Sequence, residues 1–228
     1  MSLAIFLPTR KGSVRVPQKN TRSFGGLKGG LLELKLCQLI KIEEVDEILL
    51  STNDELAQEI AIQFQNRCGK LKIIPRPENL SNSETDLTDL IKYVPQITKA
   101  EHILWTHVTS PFCTEKEYAE MITEYFLKKS KGHDSLAGVQ KFLNFLWDPE
   151  KVDIINRKGN LKWPQTQDLK ELYEINNSCF IAPRKSFIEG NRLGNRPILF
   201  EMNKLSSLDV DDREDFKIAE AVYDKIRQ

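Results

Sequence analysis

Arg10, Lys11, Arg15 and Lys19 fall within one short segment, Pro8-Thr9-Arg10-Lys11-Gly12-Ser13-Val14-Arg15-Val16-Pro17-Gln18-Lys19-Asn20. Pro8, Gly12 and Pro17 hold such a segment open as a loop, and a loop crowded with cations is a place for an anion. Gly12 and Ser13 would bring backbone N–H groups and a hydroxyl to phosphate oxygens, while the basic side chains neutralise charge that backbone dipoles alone do not. The segment has neither the Gly-Lys-Ser/Thr of a P-loop nor a Gly-x-Gly-x-x-Gly turn, so on chemistry alone phosphate binding and a merely solvated basic surface weigh evenly. Near the other end of the chain, Asp209 and Asp211 alternate with Leu208 and Val210, so in an extended stretch both carboxylates point to one side. Two such groups suit Mg²⁺, which takes hard oxygen ligands and shares its shell with substrate phosphates and water. Asp-Val-Asp-Asp ahead of a helix is also good capping chemistry, which leaves both uses open.

These residues need a scaffold. Leu3–Leu7 is a continuous apolar run, the pattern of a buried parallel strand, and ligands of open α/β sheets gather beyond the carboxyl ends of such strands, where the basic loop begins. Leu31–Ile40 repeats apolar residues at helical spacing, and Asp46–Thr52 reads as a second strand. Asn53 or Asp54 caps a helix to about Gln65, and Lys70–Ile74 is a third strand ending at Pro75-Arg76-Pro77. A polar loop from Glu78 leads to a helix through Leu87, Leu90, Ile91 and Val94, with Ser83 and Asp86 at capping-box spacing. Ile103–Thr106 delivers His107-Val108-Thr109-Ser110-Pro111 to the same sheet edge, ahead of an amphipathic helix from Thr114 to about Lys129. Asp134–Val139 and Asn177–Ala182 read as strands, and Arg213 to about Ile226 as a closing helix. Alternating β and α units predict a right-handed, mainly parallel sheet. Between Lys141 and Leu172 the periodicity breaks down, and Trp147 and Trp163 there suit a subunit contact and core packing equally.

At 228 residues the chain can build one large core, and 40% apolar with 29% charged residues is ordinary for a soluble globular protein. The 33 basic residues balance 33 acidic ones, so no long-range field attracts nucleic acid or membrane, and any anion site must come from local clustering. The first residues lack the features of a signal peptide and no run approaches a membrane span, so a cytoplasmic protein is expected. Cys37, Cys68, Cys113 and Cys179 lack zinc-site pairing and are expected as reduced thiols.

Pro-x-Arg-x-x-Ser-x-Arg-x-Pro-x-Lys-Asn after a first strand resembles the loop of the cytidylyltransferases that activate acidic sugars, the acylneuraminate (CMP-sialic acid synthetase) branch in particular. The sister 3-deoxy-manno-octulosonate branch shares most of it. Further matches follow in the family's order: Ser51-Thr52-Asn53-Asp54, Arg76-Pro77-x-x-Leu80, Thr109-Ser110-Pro111, and Ser207-Leu208-Asp209-Val210-Asp211-x-x-Glu214-Asp215-Phe216. The resemblance implies a three-layer αβα nucleotide-diphospho-sugar transferase (Rossmann-like) fold. It also implies one nucleotidyltransferase domain over residues 1–228, homodimeric, with a small arm at about 140–175 that serves dimerisation and helps to close the sugar site of the other subunit. It implies CTP and an acidic nonulosonic sugar as substrates, CMP-sugar and pyrophosphate as products, and Mg²⁺ on Asp209 and Asp211. Arg10, Arg15 and Lys19 would hold the triphosphate, with Ser13 and Asn20 as hydrogen-bonding partners. Pro8, Arg76, His107 and Thr109 would meet the nucleotide. Arg10, Lys19, Asp209 and Asp211 form the expected catalytic set, because in-line attack on an α-phosphorus asks the enzyme mainly for positioning and charge stabilisation.

Departures bear on the substrate. His107-Val108 stands for the family's usual Gln-Pro, and a neutral histidine offers one donor and one acceptor, compatible with cytosine or with another base. Cys113 replaces an arginine, Asn53 an aspartate, and Asn177-Ser178 the family's Asn-Gly. Lys141–Phe145 lacks the polar pattern of a sugar-acid pocket, and Lys141, Lys162 and Arg184 are the candidate partners for a sugar carboxylate. A different base such as GTP, a different sugar, or a catalytically weakened nucleotide-binding homologue are the alternatives.

Overall fold

The computed structural model describes residues 1–13, 15–82 and 84–227. Leu3–Pro8 forms β1 and is buried at every position. Leu3, Ile5 and Leu7 pack into one apolar cluster and Ala4 and Phe6 into another, so the strand is covered on both faces, as a continuous apolar run requires. The chain continues through α1 (Gly30–Leu39), β2 (Glu47–Thr52), α2 (Glu55–Gln65), β3 (Leu71–Pro75), α3 (Leu87–Ile97), β4 (His102–Trp105) and α4 (Glu115–Lys129). It then passes through β5 (Ser135–Phe142), β6 (Trp147–Asp148), β7 (Asp153–Ile154), β8 (Leu172–Pro183), α5 (Arg184–Ile188), β9 (Pro197–Glu201) and α6 (Arg213–Arg227).

Seven strands form one sheet in the order β3-β2-β1-β4-β8-β5-β9. Its pairs are parallel except those of β8, which runs antiparallel to both β4 and β5. Helices α1, α2, α4 and α6 supply the core of one face, and α3 and α5 that of the other, giving the expected three layers. From β1 the chain winds outward to β2 and β3, then returns to place β4 on β1's other side. Between β1 and β4 the following loops therefore diverge and leave a crevice at the carboxyl edge.

Local chemistry fixes the entries. Asp54 caps α2 by accepting from Leu56 N, and Thr114 and Glu117 close a capping box on α4. At α3 the cap is Asp86 itself, accepting from Thr88 N at 2.7 Å, rather than the third residue of a box. Ser83, the other half of that expectation, lies outside the described residues. Gly30 opens α1 with φ +63°, and a Cβ there would stand 2.0 Å from the Arg22 carbonyl oxygen, so only glycine fits. Four elements are not expected from sequence: the short strands β6 and β7, the short helix α5, and the edge strand β9, whose Ile198-Leu199-Phe200 core is too brief to carry a period.

Between β5 and β8 the chain leaves the sheet as an arm. Phe142 pairs with Leu172, so the excursion starts and ends at one point. The arm contains the two-stranded β6–β7 ribbon, held by Asn156, which is fully buried. Its side chain accepts from Leu146 N and donates to the Asn144 carbonyl. Trp147 is 57% exposed and Trp163 69%, which removes core packing as the reason for either within this chain.

Candidate active site

The crevice beyond β1 and β4 is an open cleft of about 380 Å³. Every residue assigned to nucleotide, catalysis or metal from sequence lines it: Pro8, Arg10, Ser13, Arg15, Lys19, Asn20, Arg76, His107, Thr109, Asp209 and Asp211. The loop after β1 is anchored at both ends, by Thr9 N donating to the Ser51 carbonyl and by Leu32 N donating to that of Asn20. Val16, 1% exposed, plugs its middle into the core, so the alternating Arg15 is turned out.

The two aspartates are not caps. Asp212 accepts from Glu214 N and Asp215 N, and Asp215 from Asp211 N and Asp212 N, so α6 is capped without Asp209 or Asp211. Val210 between them is fully buried, and its N–H donates to the Thr109 carbonyl at 2.8 Å. This pins the acidic segment to the turn after β4 and leaves both flanking carboxylates on the cleft. Asp211 is paired with Arg15 at 3.0 Å and with Lys19 at 3.7 Å. Lys19 also donates to the Val210 carbonyl at 2.6 Å, and burial pushes its pKa down. Asp209 accepts from Asn177 Nδ2 at 2.8 Å through Oδ2, whereas its Oδ1 is buried with no hydrogen-bond partner among the described residues. An orphaned carboxylate oxygen facing a cationic cleft fits a hard cation. No group of three or more His, Cys, Asp or Glu side chains among the described residues is arranged to hold a metal alone, so such a cation would draw further ligands from phosphate and water.

Leu87, Leu90 and Trp105 add apolar surface to the same cleft. Arg76, 7% exposed, is fixed there by donating to the Ser51 carbonyl and hydroxyl, and burial lowers its pKa to about 10. His107 accepts a 2.7 Å hydrogen bond at Nε2 from the Trp105 indole N–H. Burial first, and then the cations Arg192, Arg76 and Lys19, push the imidazole far below its usual range, so the ring is neutral. Arg192 lies over Phe180, 3.9 Å from the ring centroid, and over Trp105, with Nη1 buried and unpaired among the described residues.

Sequence reasoning missed Asn177 as a site residue, though it noted the Asn177-Ser178 pair, whose departure lies at Ser178. It also missed Lys35, which is fully buried on α1. The Lys35 ammonium donates to the Ser110 carbonyl at 2.8 Å, the Cys113 carbonyl at 2.9 Å and the Tyr118 hydroxyl at 3.1 Å, using all three of its donors. It thereby ties the turn carrying Thr109 to α1 and α4, and burial brings its pKa down to about 8. The signal was present: Lys35 sits one turn after Leu31 and one before Leu39, on a helical face that is apolar apart from it and Gln38. Asn53, where the family has aspartate, accepts from Lys11 N and so shapes the loop. None of the candidate carboxylate partners lines the cleft. Arg184 donates to the Pro95 and Thr98 carbonyls at the opposite edge of the sheet, Lys141 pairs with Glu171, and Lys162 is exposed on the arm.

The open αβα sheet is similar to that of a solved structure of CMP:2-keto-3-deoxy-manno-octonic acid synthetase complexed with CTP. The TM-score is 0.69 over 99% of this chain and 100% of that one, at 11% identity, a likeness of fold. A family model described as cytidylyltransferase matches residues 4–209, and the chain belongs to that family. It is 25% identical over 92% of its length to N-acylneuraminate cytidylyltransferase of Streptococcus agalactiae, spanning 50% of that relative. It is also 25% identical to the CMP-N,N'-diacetyllegionaminic acid synthase of Legionella pneumophila, over 98% of this chain and 97% of that one. The chain thus spans about half the length of the acylneuraminate relatives and nearly all of the legionaminic one. No described helix is long and apolar enough to cross a membrane.

Proposed function

We propose that this chain transfers CMP from CTP to a hydroxyl of an acidic nonulosonic sugar, releasing pyrophosphate, with Mg²⁺ as its metal. The observation that carries the reading is the convergence of loop cations, Arg76 and the two aspartates that do not cap α6 on one cleft that also has apolar lining. A nucleoside triphosphate joins a polyanion to a base in the same way. The sugars are those that the relatives' names print, N-acylneuraminate and N,N'-diacetyllegionaminic acid.

In this reading the sugar oxygen attacks the α-phosphorus in line, a P–O bond forms, the α–β anhydride bond breaks, and pyrophosphate leaves while the hydroxyl proton passes to solvent. Arg10, Arg15 and Lys19 bind the triphosphate, with Ser13 and Asn20 donating to its oxygens. Arg15 and Lys19 rest on Asp211 in the free protein, so the incoming phosphates exchange those ion pairs for stronger ones and release Asp211 for the metal. Mg²⁺ on Asp209 and Asp211 would supply charge neutralisation at the phosphate oxygens and lower the pKa of a coordinated hydroxyl. Asn177 orients the Asp209 carboxylate. We assign the exposed tryptophans of the arm to contact with a second copy of the chain, in the cytoplasm, where CTP is made.

Pyrophosphate release tests the reading: it should require CTP, a divalent cation and one member of a panel of nonulosonic acids. A protein stabilised by CTP that releases no pyrophosphate with any of them would be the weakened homologue, and stabilisation by GTP in place of CTP would overturn the base assignment.

A further inference from the structure

On the nucleotidyltransferase reading of the cleft, we infer that Asn176 and Ser178, buried in a bulge of β8, are positioning residues that hold Asp209 in place for a divalent cation. Ala137 of β5 pairs with Phe180 and Val139 with Ile175, so the four residues Asn176 to Cys179 face the single Gly138. A bulge re-aims side chains, and this one begins where β8 parts from β4, since Trp105 is paired with Phe180. Its side chains reach the acidic segment one after another. Ser178 Oγ donates to the Ser206 carbonyl at 3.4 Å. Asn176 Nδ2 lies 3.4 Å from the Ser207 hydroxyl and 3.3 Å from Met202 Sδ, as donor to both. Asn177 Nδ2 donates to Asp209 Oδ2 at 2.8 Å. Asn177 therefore holds the carboxylate itself, while Asn176 and Ser178 hold the chain that carries it.

The bulge is itself fixed. Asn176 Oδ1 accepts from Ser178 N at 3.0 Å, and the Tyr118 hydroxyl, to which Lys35 donates, gives its proton to the Ser178 carbonyl at 3.3 Å. A Cβ at Gly138 would stand 2.8 Å from both Asn176 Oδ1 and Met202 Sδ, so Asn176 occupies the space that any other residue at 138 would need. On the far side Glu117 accepts from Ser206 Oγ at 2.9 Å, and the Thr109 carbonyl accepts from Val210 N at 2.8 Å. The segment is thus gripped at Ser206, Ser207, Asp209 and Val210, and Asp209 Oδ1 is left buried with no hydrogen-bond partner among the described residues. A buried, unpaired carboxylate oxygen costs free energy, and a backbone held at these points does not swing it out to water. A cation that takes its other ligands from phosphate and water removes that cost.

Cation binding itself tests this, followed by the relaxation of water protons as Mn²⁺ is titrated with CTP present and no sugar. The proteins are wild type, Asn176→Ala, Ser178→Ala and Cys179→Ala. Cys179 is the control, a fully buried side chain of the same bulge with no hydrogen bond to the acidic segment among the described residues. Asn176→Ala should weaken Mn²⁺ binding by about tenfold, the lower end of what a residue that orients a metal ligand contributes. Ser178→Ala, which keeps the Asn176 bonds, should weaken it by a smaller factor. Cys179→Ala should lower the urea midpoint and leave Mn²⁺ affinity at the wild-type value, and CTP affinity without cation should stay there in every variant. If Asn176→Ala does not fold, Ser178→Ala set against Cys179→Ala decides. Unchanged Mn²⁺ affinity in both Asn176→Ala and Ser178→Ala, or an equal weakening in Cys179→Ala, removes this inference and leaves the proposed function standing. A wild type that binds neither CTP nor Mn²⁺ removes both.

Discussion

The cleft and the arm use the same kinds of residue in opposite ways. In the cleft, polar side chains are already engaged: Arg76 on Ser51, Lys19 on Val210, Asp209 on Asn177, and His107 on Trp105. In the arm, local hydrogen bonds and ion pairs hold the β6–β7 ribbon, such as those of Asn156 and Asp148, but Trp147, Leu161 and Trp163 stand largely in solvent. A site whose groups are held before the ligand arrives loses little entropy on binding, whereas exposed aromatics gain only by meeting another surface. The two regions should therefore respond in different measurements, the cleft in turnover and nucleotide affinity, the arm in association.

The sharpest separation comes from the aspartates. Asp209→Asn and Asp211→Asn should each lower turnover by roughly 10²- to 10³-fold, the scale of losing one preorganised electrostatic group. The thermal midpoint should stay near wild type, because neither carboxylate caps α6. Asp212→Asn is the control, weakening the α6 cap by about 1 kcal/mol or less while sparing catalysis. Turnover that survives both Asp209→Asn and Asp211→Asn would move the metal elsewhere and dissolve the contrast with the arm.

Lys35→Met comes next and acts one layer deeper. It removes a buried cation but leaves the Ser110 and Cys113 carbonyls unpaired, and the second effect should win by about 1–3 kcal/mol in a urea titration. Because the Thr109 carbonyl in the same turn holds Val210, the loss should extend to a weaker affinity for the divalent cation, read as a higher cation concentration at half-maximal turnover. Arm residues share no such link to the turn.

What could be read without coordinates follows from the same difference. The basic loop, Arg76 and the His107–Thr109 turn are legible because each sits just beyond a strand whose apolar run announces itself, and a parallel sheet gathers such positions at one edge. Asp209 and Asp211 carry two chemistries in one pattern, and only the hydrogen bonds of Asp212 and Asp215 separate cap from site. Lys35 was hidden because a lysine within an apolar stripe reads as an interruption; its three acceptors come from residues far along the chain. Arg192 lies in a loop with no period at all, and its place over Trp105 is purely tertiary. The arm was legible only as a failure of periodicity, and β9 was too short to register.

Acid should test the buried ends of the sheet. His102 is 3% exposed, joined to Tyr125 and Lys129, and burial with the Lys129 cation lowers its pKa to about 4. An unfolded histidine takes its proton near pH 6.5, so between that value and about 4 the unfolded chain binds protons that the native chain refuses. Stability is therefore full above pH 6.5 and falls as the pH drops through this window, by roughly 5 °C in thermal midpoint. His102→Gln should flatten the profile, and a wild-type midpoint unchanged from pH 7 to 4.5 would contradict it.

The smallest effect on the cleft should come from the arm. Trp147→Ser and Trp163→Ser remove side chains that are mostly in solvent, so monomer stability and CTP affinity should stay within about 0.5 kcal/mol of wild type. Self-association, followed by light scattering across a dilution series, is where the change should appear, with the dimer dissociating at higher concentration in the variants. If the variants lose turnover with the sugar while keeping CTP affinity, the arm completes the sugar side of a neighbouring copy's cleft, the side for which this chain supplies no cation from Lys141, Lys162 or Arg184. If they lose CTP affinity as well, the arm and the cleft are one region, and the division between held and unheld surfaces fails.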